Sequence, residues 1–260
     1  MVTVVITTCK REPEIVKRAV MSVIRQTYTE WEIFVIDDSP KDWPLRKDIE
    51  REMVSLAETN RIIYIQNESN KGACFSRNVG LHKANGEYVA FLDDDDEWLS
   101  DKLKKQVNAL ENASADVALV YGPFYIEYDE TEIKVSYECP FLSGELYEEI
   151  MKRGNLLGGM SIPLMRTQCV IDVGGFDELM QSSQDVDLWL RMTKKYKAIG
   201  LPDYLAIYHI HDGEQITKNP QKKIEGLKRI NEKNADFLQK NKANNELPHF
   251  HELLFFERSF

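Results

Sequence analysis

The chain has 260 residues, 43% of them hydrophobic, enough to bury one large domain or one domain with a small appendage. Its 33 Lys and Arg against 43 Asp and Glu give a formal net charge of −10. That charge argues against nucleic acid as a polymeric partner but leaves room for a nucleotide at a local site.

Cys9, Cys74, Cys139 and Cys169 form no C-x-x-C pair, so a zinc ribbon or dithiol redox motif is unsupported and a reducing, cytoplasmic setting is expected. The sequence enters a strand at residue 2 with no charged leader, so no secretion signal is expected. No apolar run approaches the roughly 20 residues of a membrane helix.

The first half alternates strands and helices. Residues 2–8 are apolar and β-branched, a strand. Residues 14–26 carry Ile15, Ala19, Val23 and Ile24 at helical spacing. A second strand at 31–36 runs into Asp37-Asp38-Ser39-Pro40, followed by a helix at 45–58 and a third strand at 61–66. A helix at 74–83 leads to a fourth strand at 87–92. Apolar runs without polar alternation predict a parallel sheet covered on both faces, joined by right-handed crossovers.

After a helix at 100–111 and a strand at 116–121, the texture changes. Residues 123–129 and 132–138 alternate around Asp129-Glu130-Thr131, as in a hairpin. A helix is expected near 144–153, then a glycine-rich segment at 154–159, with residues 156–160 read as a mobile loop over the site. Residues 186–195 read as a helix, 197–208 as one or two short strands, and 217–240 as a charged helix.

The run Asp93-Asp94-Asp95-Asp96, directly after the fourth strand, is the most informative feature. Carboxylates this close repel, so stability does not favour the arrangement. Two readings stand: a divalent-cation site, since hard cations take carboxylate oxygen, or a solvated acidic loop capping the next helix through Asp96 or Ser100. Three more segments place polar groups after strands: 7–11, Asp37-Asp38, and Asn70-Lys71-Gly72 with Arg77 and Asn78 on the helix behind. In a parallel sheet these ends line one crevice, which suits a ligand with base, ribose and diphosphate.

The ordered set Thr7-Thr8-Cys9-Lys10-Arg11, residues 22–28, Val35-Ile36-Asp37-Asp38-Ser39, Asn70-Lys71-Gly72 with residues 76–80, and residues 91–98 resembles the family 2 glycosyltransferases of the GT-A fold. Residues 174–178 (Gly-Gly-Phe-Asp-Glu) and 184–191 resemble that family's acceptor-side motifs. The resemblance covers about residues 2–212. It implies an α/β, Rossmann-like, mostly parallel sheet with helices on both faces, an acceptor-side region and a helical tail. The implied division is a domain at 1–212, with a donor half (1–112) and an acceptor half (113–212), then a helical, aromatic tail at 213–260.

The resemblance also implies roles. Thr8 and Arg11 would contact the donor. Asp38 would accept the imide N–H of the base, usually uracil. Arg77 would lie near base and phosphates, where its forked guanidinium suits either; the alternative is an exposed helix charge. Asp93 and Asp94 would lie near the ribose, and Asp95, ending the D-x-D signature Asp93-x-Asp95, would ligate Mn²⁺ or Mg²⁺ on the diphosphate. His211, in Tyr208-His209-Ile210-His211, would reach that metal or the diphosphate, with His209 on the same strand face as the other candidate. Asp185 would be the general base, or the N-cap of the following helix, or both, with Asp187 as the other candidate base. The family's usual Glu-Asp pair is here Gln184-Asp185. Trp98, Trp189 and Phe176 would either form a sugar platform or pack in the core.

The resulting expectation is a metal-dependent, inverting glycosyltransferase moving a sugar from a nucleotide-sugar, most often UDP-linked, to a saccharide or lipid-linked saccharide hydroxyl. Two alternatives stand: a sugar nucleotidyltransferase, for which the glycine-free 7–11 segment is a poor phosphate loop, and a non-catalytic nucleotide-sugar-binding protein, which Gln184 would suit. The basic and aromatic tail suits core packing, a homodimer interface, or peripheral contact with the inner face of a membrane.

Overall fold

The computed structural model describes residues 1–128, 133–210 and 220–242. In chain order these form β1 (Val2–Thr8), α1 (Pro13–Ile24), β2 (Trp31–Asp37), α2 (Arg46–Ala57), β3 (Ile62–Gln66), α3 (Ala73–Lys83), β4 (Tyr88–Asp93), β5 (Glu97–Trp98), α4 (Lys102–Glu111), β6 (Val117–Tyr121), β7 (Phe124–Tyr128) and β8 (Ile133–Tyr137). They continue with α5 (Tyr147–Arg153), β9 (Leu164–Arg166), α6 (Thr167–Asp172), α7 (Gln184–Thr193), β10 (Lys197–Gly200), β11 (Ala206–Ile210), α8 (Pro220–Lys233) and α9 (Ala235–Lys242).

The main sheet has seven strands in the order β10-β6-β9-β4-β1-β2-β3. β4, β1, β2 and β3 run parallel, as do β6 and β10. β9 alone is antiparallel, wedged between β4 and β6. The expected mostly parallel α/β architecture is therefore present. The three-residue β9 is too short to read in the sequence, and its helical neighbour α6 was likewise not expected. A second sheet, β5-β11-β7-β8, contains the expected hairpin strands, whose turn at 129–132 lies outside the described residues.

Burial explains the placement. β2 is buried along its whole length and β1 at all but Thr7, as central strands covered on both faces must be. α1 opens on Pro13, whose missing N–H costs nothing in a first turn. α3 lies so close to β1 that a Cβ on Gly80 would fall 2.4 Å from a methyl of Val5. Arg77, three residues earlier on the same helix, reaches Asp93 at the end of β4.

Register sets the crevice. Thr7 pairs with Asp93 and Thr8 with Asp37, so the carboxyl ends of β1, β2 and β4 finish level. The expected single helix at 217–240 is, over its described part, two helices meeting near Asn234. There the Asn234 amide donates to the Ile230 carbonyl at 2.7 Å, the side-chain competition that interrupts helices. Among the described residues no helix is long and apolar enough to cross a membrane.

Candidate active site

The two aspartates ending β2 have different surroundings. Asp37 is fully buried and accepts from the Tyr64 hydroxyl at 2.5 Å and from the Ser39 N–H at 2.8 Å. Asp38 faces the crevice loop. Its Oδ1 accepts from the Asn67 amide (2.7 Å) and the Lys71 N–H (2.8 Å), and its Oδ2 from the Gly72 N–H (2.7 Å). Gly72 meets it with φ +92°, a conformation glycine adopts without strain. Thr8 is buried at the end of β1, and its carbonyl accepts from the Asp38 N–H at 2.8 Å.

The four aspartates after β4 do not share one environment. Arg11 binds two of them, Asp94 through Nε at 2.9 Å and Asp95 through Nη2, and Arg18 donates to the Asp95 carbonyl at 2.7 Å. Burial pushes the Asp94 carboxyl up to about 6; Arg11 opposes that shift and Asp95 adds to it. Asp96 is buried, and it accepts from the Ser161 hydroxyl and, at 3.2 Å, from the His209 N–H. Burial, then Asp95 and Asp93, hold its carboxyl well above the usual range. Asp96 thus ties the crevice floor to β11. It does not cap α4, which starts at Lys102 with Asp101 before it.

Arg77 is buried, which overturns its reading as an exposed helix charge. Its Nη2 donates to Asp93 at 2.8 Å, its Nη1 to the Gln184 side chain at 2.6 Å, and the guanidinium lies 5.6 Å from the centre of the Phe176 ring. One residue on, the Asn78 amide donates to the Phe176 carbonyl and its oxygen accepts the Phe176 N–H, at 2.9 and 2.8 Å. The Gly174-Gly175-Phe176 segment is therefore docked on α3, and with it the approach to α7.

Asp185 lies in the first turn of α7. Ser183 is the N-cap residue, with left-handed backbone at φ 55°. Asp185 is half-buried, and burial raises its carboxyl above the ordinary value, opposed by the Val186 N–H and Arg77. Its Oδ2 accepts from the Asn155 amide at 2.8 Å. Asp187 is buried and taken up by Arg191 and Lys233. That leaves Asp185 as the carboxylate of this turn nearer the crevice.

Contacts at the carboxyl edge of the sheet thus join Thr8 to Asp38, Arg11 to Asp94 and Asp95, and Arg77 to Asp93 and to Gln184, the neighbour of Asp185. His211 lies outside the described residues. His209 is buried and its Nε2 pairs with Glu97 at 3.0 Å. Trp98, Trp189 and Phe176 are all buried, which rules out a sugar platform. Their polar atoms serve packing: each indole N–H donates to a backbone carbonyl, Trp98 to Ser161 and Trp189 to Gly158. The segment read as a mobile loop over the site sends Leu156, Leu157 and Met160 into the core.

Two site residues were not foreseen. Asn155 was hidden in the glycine-rich segment. Tyr208 stood in a run read only for its histidines. Burial, then Asp96, Asp93, Asp95 and Asp185, push the Tyr208 phenol far above its ordinary range, so it stays protonated among these carboxylates.

A model of glycosyl transferase family 2 matches residues 3–165. The chain is 30% identical over 209 residues to WcaA of Escherichia coli (strain K12), a glycosyl transferase named for colanic acid biosynthesis, covering 79% of this chain and 71% of that one. It is 32% identical over 197 residues to WfaP of Escherichia coli, a UDP-Glc:α-D-GlcNAc-diphosphoundecaprenol β-1,3-glucosyltransferase, covering 75% and 71%. The crystal structure of S. aureus TarS 1–349 in complex with UDP-GlcNAc superposes with a TM-score of 0.70 at 20% identity. That match covers 88% of this chain but only 65% of the TarS chain, and it carries the fold.

Proposed function

Since the chain belongs to glycosyl transferase family 2, we propose that it moves a sugar from a UDP-linked donor to a hydroxyl of a lipid-linked saccharide, with inversion at the anomeric carbon. The observation that carries this reading is Arg77. One buried guanidinium joins Asp93, at the end of the donor-side strand β4, to Gln184, the neighbour of Asp185. A nucleotide crevice and a carboxylate of raised pKa are thereby held side by side.

On this reading Asp38 recognises the base. An ionised carboxylate offers about four acceptor sites; three are taken, and the fourth, on Oδ2, is the one assigned to the imide N–H of uracil. Asp93 and Asp94 bind the ribose side, and Arg11 and Thr8 line the β1 wall. Asp185 accepts the proton of the acceptor hydroxyl as that oxygen bonds to the anomeric carbon. The bond from that carbon to the diphosphate breaks in the same step, and the nucleoside diphosphate leaves. The name of WfaP gives a β-linkage made from UDP-Glc. UDP-glucose is α-linked, so a product of that kind requires inversion, and one base suffices for single displacement.

The donor set suits a hard cation. Among the described residues no three His, Cys, Asp or Glu converge on one point, yet Mg²⁺-type sites use one or two carboxylates completed by substrate phosphate. Asp95, with Asp93 alongside, would hold Mn²⁺ or Mg²⁺ in that way. The bound ion would neutralise charge on the departing diphosphate.

The acceptor class rests on the diphosphoundecaprenol saccharide named for WfaP. On this reading the enzyme works at the cytoplasmic face of a membrane, in surface-polysaccharide assembly. The membrane or homodimer contact belongs by expectation to the 213–260 tail; within its described part, 220–242, Arg229 and Lys233 are turned to Asp177 and Asp187, and residues 243–260 lie outside those described.

The test is a thermal-shift panel of nucleotide-sugars with Mn²⁺ or with EDTA, followed by product analysis on a GlcNAc-diphospholipid. A metal-dependent shift with one UDP-sugar and a β-linked product are expected. Tight UDP binding without turnover on any saccharide-diphospholipid would favour a non-catalytic binding protein.

A further inference from the structure

Arg77 and Asn155 hold Gln184 and Asp185 from inside the crevice. From outside, the same turn is held by α8. Gly226 packs against Ser182 so tightly that a Cβ would lie 2.6 Å from the Ser182 carbonyl oxygen. Ile230, one turn further on, is fully buried. Arg229 donates to Asp177 through Nε at 2.6 Å and Nη2 at 3.1 Å. Lys233 Nζ stands 2.5 Å from both Asp177 Oδ2 and Asp187 Oδ1. Asp177 and Asp187 bracket the segment that contains Ser183, Gln184 and Asp185, so a single ammonium ties its two ends together.

Left-handed backbone at a non-glycine residue is disfavoured and persists where its surroundings over-determine it. Ser183, at φ 55°, is such a residue, and the contacts of α8 supply the surroundings. Burial acts to raise the Asp177 carboxyl, but the hydrogen bonds from Arg229 and Lys233 outweigh it and keep the group ionised. The tie is therefore intact at neutral pH.

We propose that α8 is a positioning element for the transfer reaction, with Lys233 and Gly226 as positioning residues that set the 183–185 turn. The proposal rests on Asp185 acting on the acceptor hydroxyl. Loosening the turn moves the base relative to the acceptor, and a displacement of about 1 Å is enough to cost on the order of 10²-fold in rate. Asp38, Arg11 and the β4 aspartates stand on other elements, and Arg77 meets the turn only through the Gln184 amide while keeping Asp93, so donor binding changes far less than turnover.

Lys233→Met, Lys233→Arg, Gly226→Ala and Asp185→Asn are compared on the donor and acceptor that the wild type uses. The readouts are kcat, donor KM, UDP affinity by calorimetry and the melting midpoint. Lys233→Met and Gly226→Ala are expected to lose about tenfold or more in kcat with donor KM and UDP affinity within about twofold of wild type, and Lys233→Arg to recover most of the rate. Wild-type kcat in Lys233→Met overturns the positioning role, whatever Asp185→Asn does. Parallel losses of kcat, UDP affinity and melting midpoint, unrescued by Lys233→Arg, mark a merely structural helix and overturn it too. Full turnover in Asp185→Asn beside a slow Lys233→Met removes the base reading alone and leaves the turn acting through Gln184.

Discussion

Arg77 donates to the side-chain oxygen of Gln184 at 2.6 Å, so a helix of the donor side grips the turn that carries the candidate base. The partner is an amide, which takes the hydrogen bond without neutralising the guanidinium. The charge of Arg77 is thereby kept for Asp93 and, on the proposed function, for an incoming diphosphate.

Gln184→Glu is expected to spoil that division. A second carboxylate beside Asp185 disfavours ionisation of the base and moves its pKa further up. On the proposed mechanism activity needs Asp185 deprotonated, so the acid limb of the kcat profile should move to higher pH by roughly half a unit to one unit. UDP affinity should fall several-fold as Arg77 pairs with the new charge. A pH–rate series on both proteins checks this; coincident limbs would remove the electrostatic link between positions 184 and 185.

Asn155 offers a second handle on the same group. Its amide stabilises the ionised form of Asp185, while burial already lifts that carboxyl above its usual value. Asn155→Ala should therefore raise the acid limb again and lower kcat by about tenfold, whereas Asp185→Asn should lose about 10²- to 10⁴-fold at every pH. Stopped assays from pH 5 to 9 separate the two behaviours. Unchanged kcat in Asp185→Asn would reassign the base.

Asp95→Asn tests the cation site. The variant should need about tenfold or more Mn²⁺ for half-maximal turnover, with UDP binding in EDTA unchanged. Titration of Mn²⁺ into protein with UDP, followed by calorimetry, reads this directly. Full activity of EDTA-treated wild type would exclude a metal requirement.

Asp177→Asn tests the ion pairs of α8 through stability. The folded Asp177 carboxyl titrates below its unfolded value of about 4. Its contribution is thus complete above about pH 4 and is lost as pH falls through the folded value. The variant should be less stable than wild type at pH 7 by on the order of 1 kcal/mol, screened because the pair is only partly buried. In urea melts the gap should begin to narrow below about pH 4 and close only as pH falls through the folded value, and a gap that does not narrow at all there would point to packing instead.

Much of this architecture was legible because central parallel strands announce themselves. The β1, β2 and β4 segments are mostly apolar runs, broken only by Thr3 and Glu32 before their ends, and each is followed by chemistry-bearing residues whose level ends the sheet enforces. What escaped was short or non-local. The three residues of β9 carry no period, and the partners of Asn155 and Lys233 lie 30 and 46 residues away. The aromatic residues left two readings open for a related reason, and burial decides for core packing. Whether Trp98 or Trp189 lines a site or fills a core depends on which carbonyl its indole N–H meets, and only the folded chain supplies that carbonyl. Four consecutive aspartates look alike on paper, but packing divides them: two on Arg11, one on Arg77, one sunk beneath β11.

β9 has a consequence for how this chain can be cut and joined. It zips the strands of residues 2–93 to those of residues 117–200 by pairing with β4 on one side and β6 on the other. A fragment ending before residue 164 would leave both of those strands as open, apolar edges, the template on which chains aggregate. The same seam makes one continuous sheet from β10 through to β3.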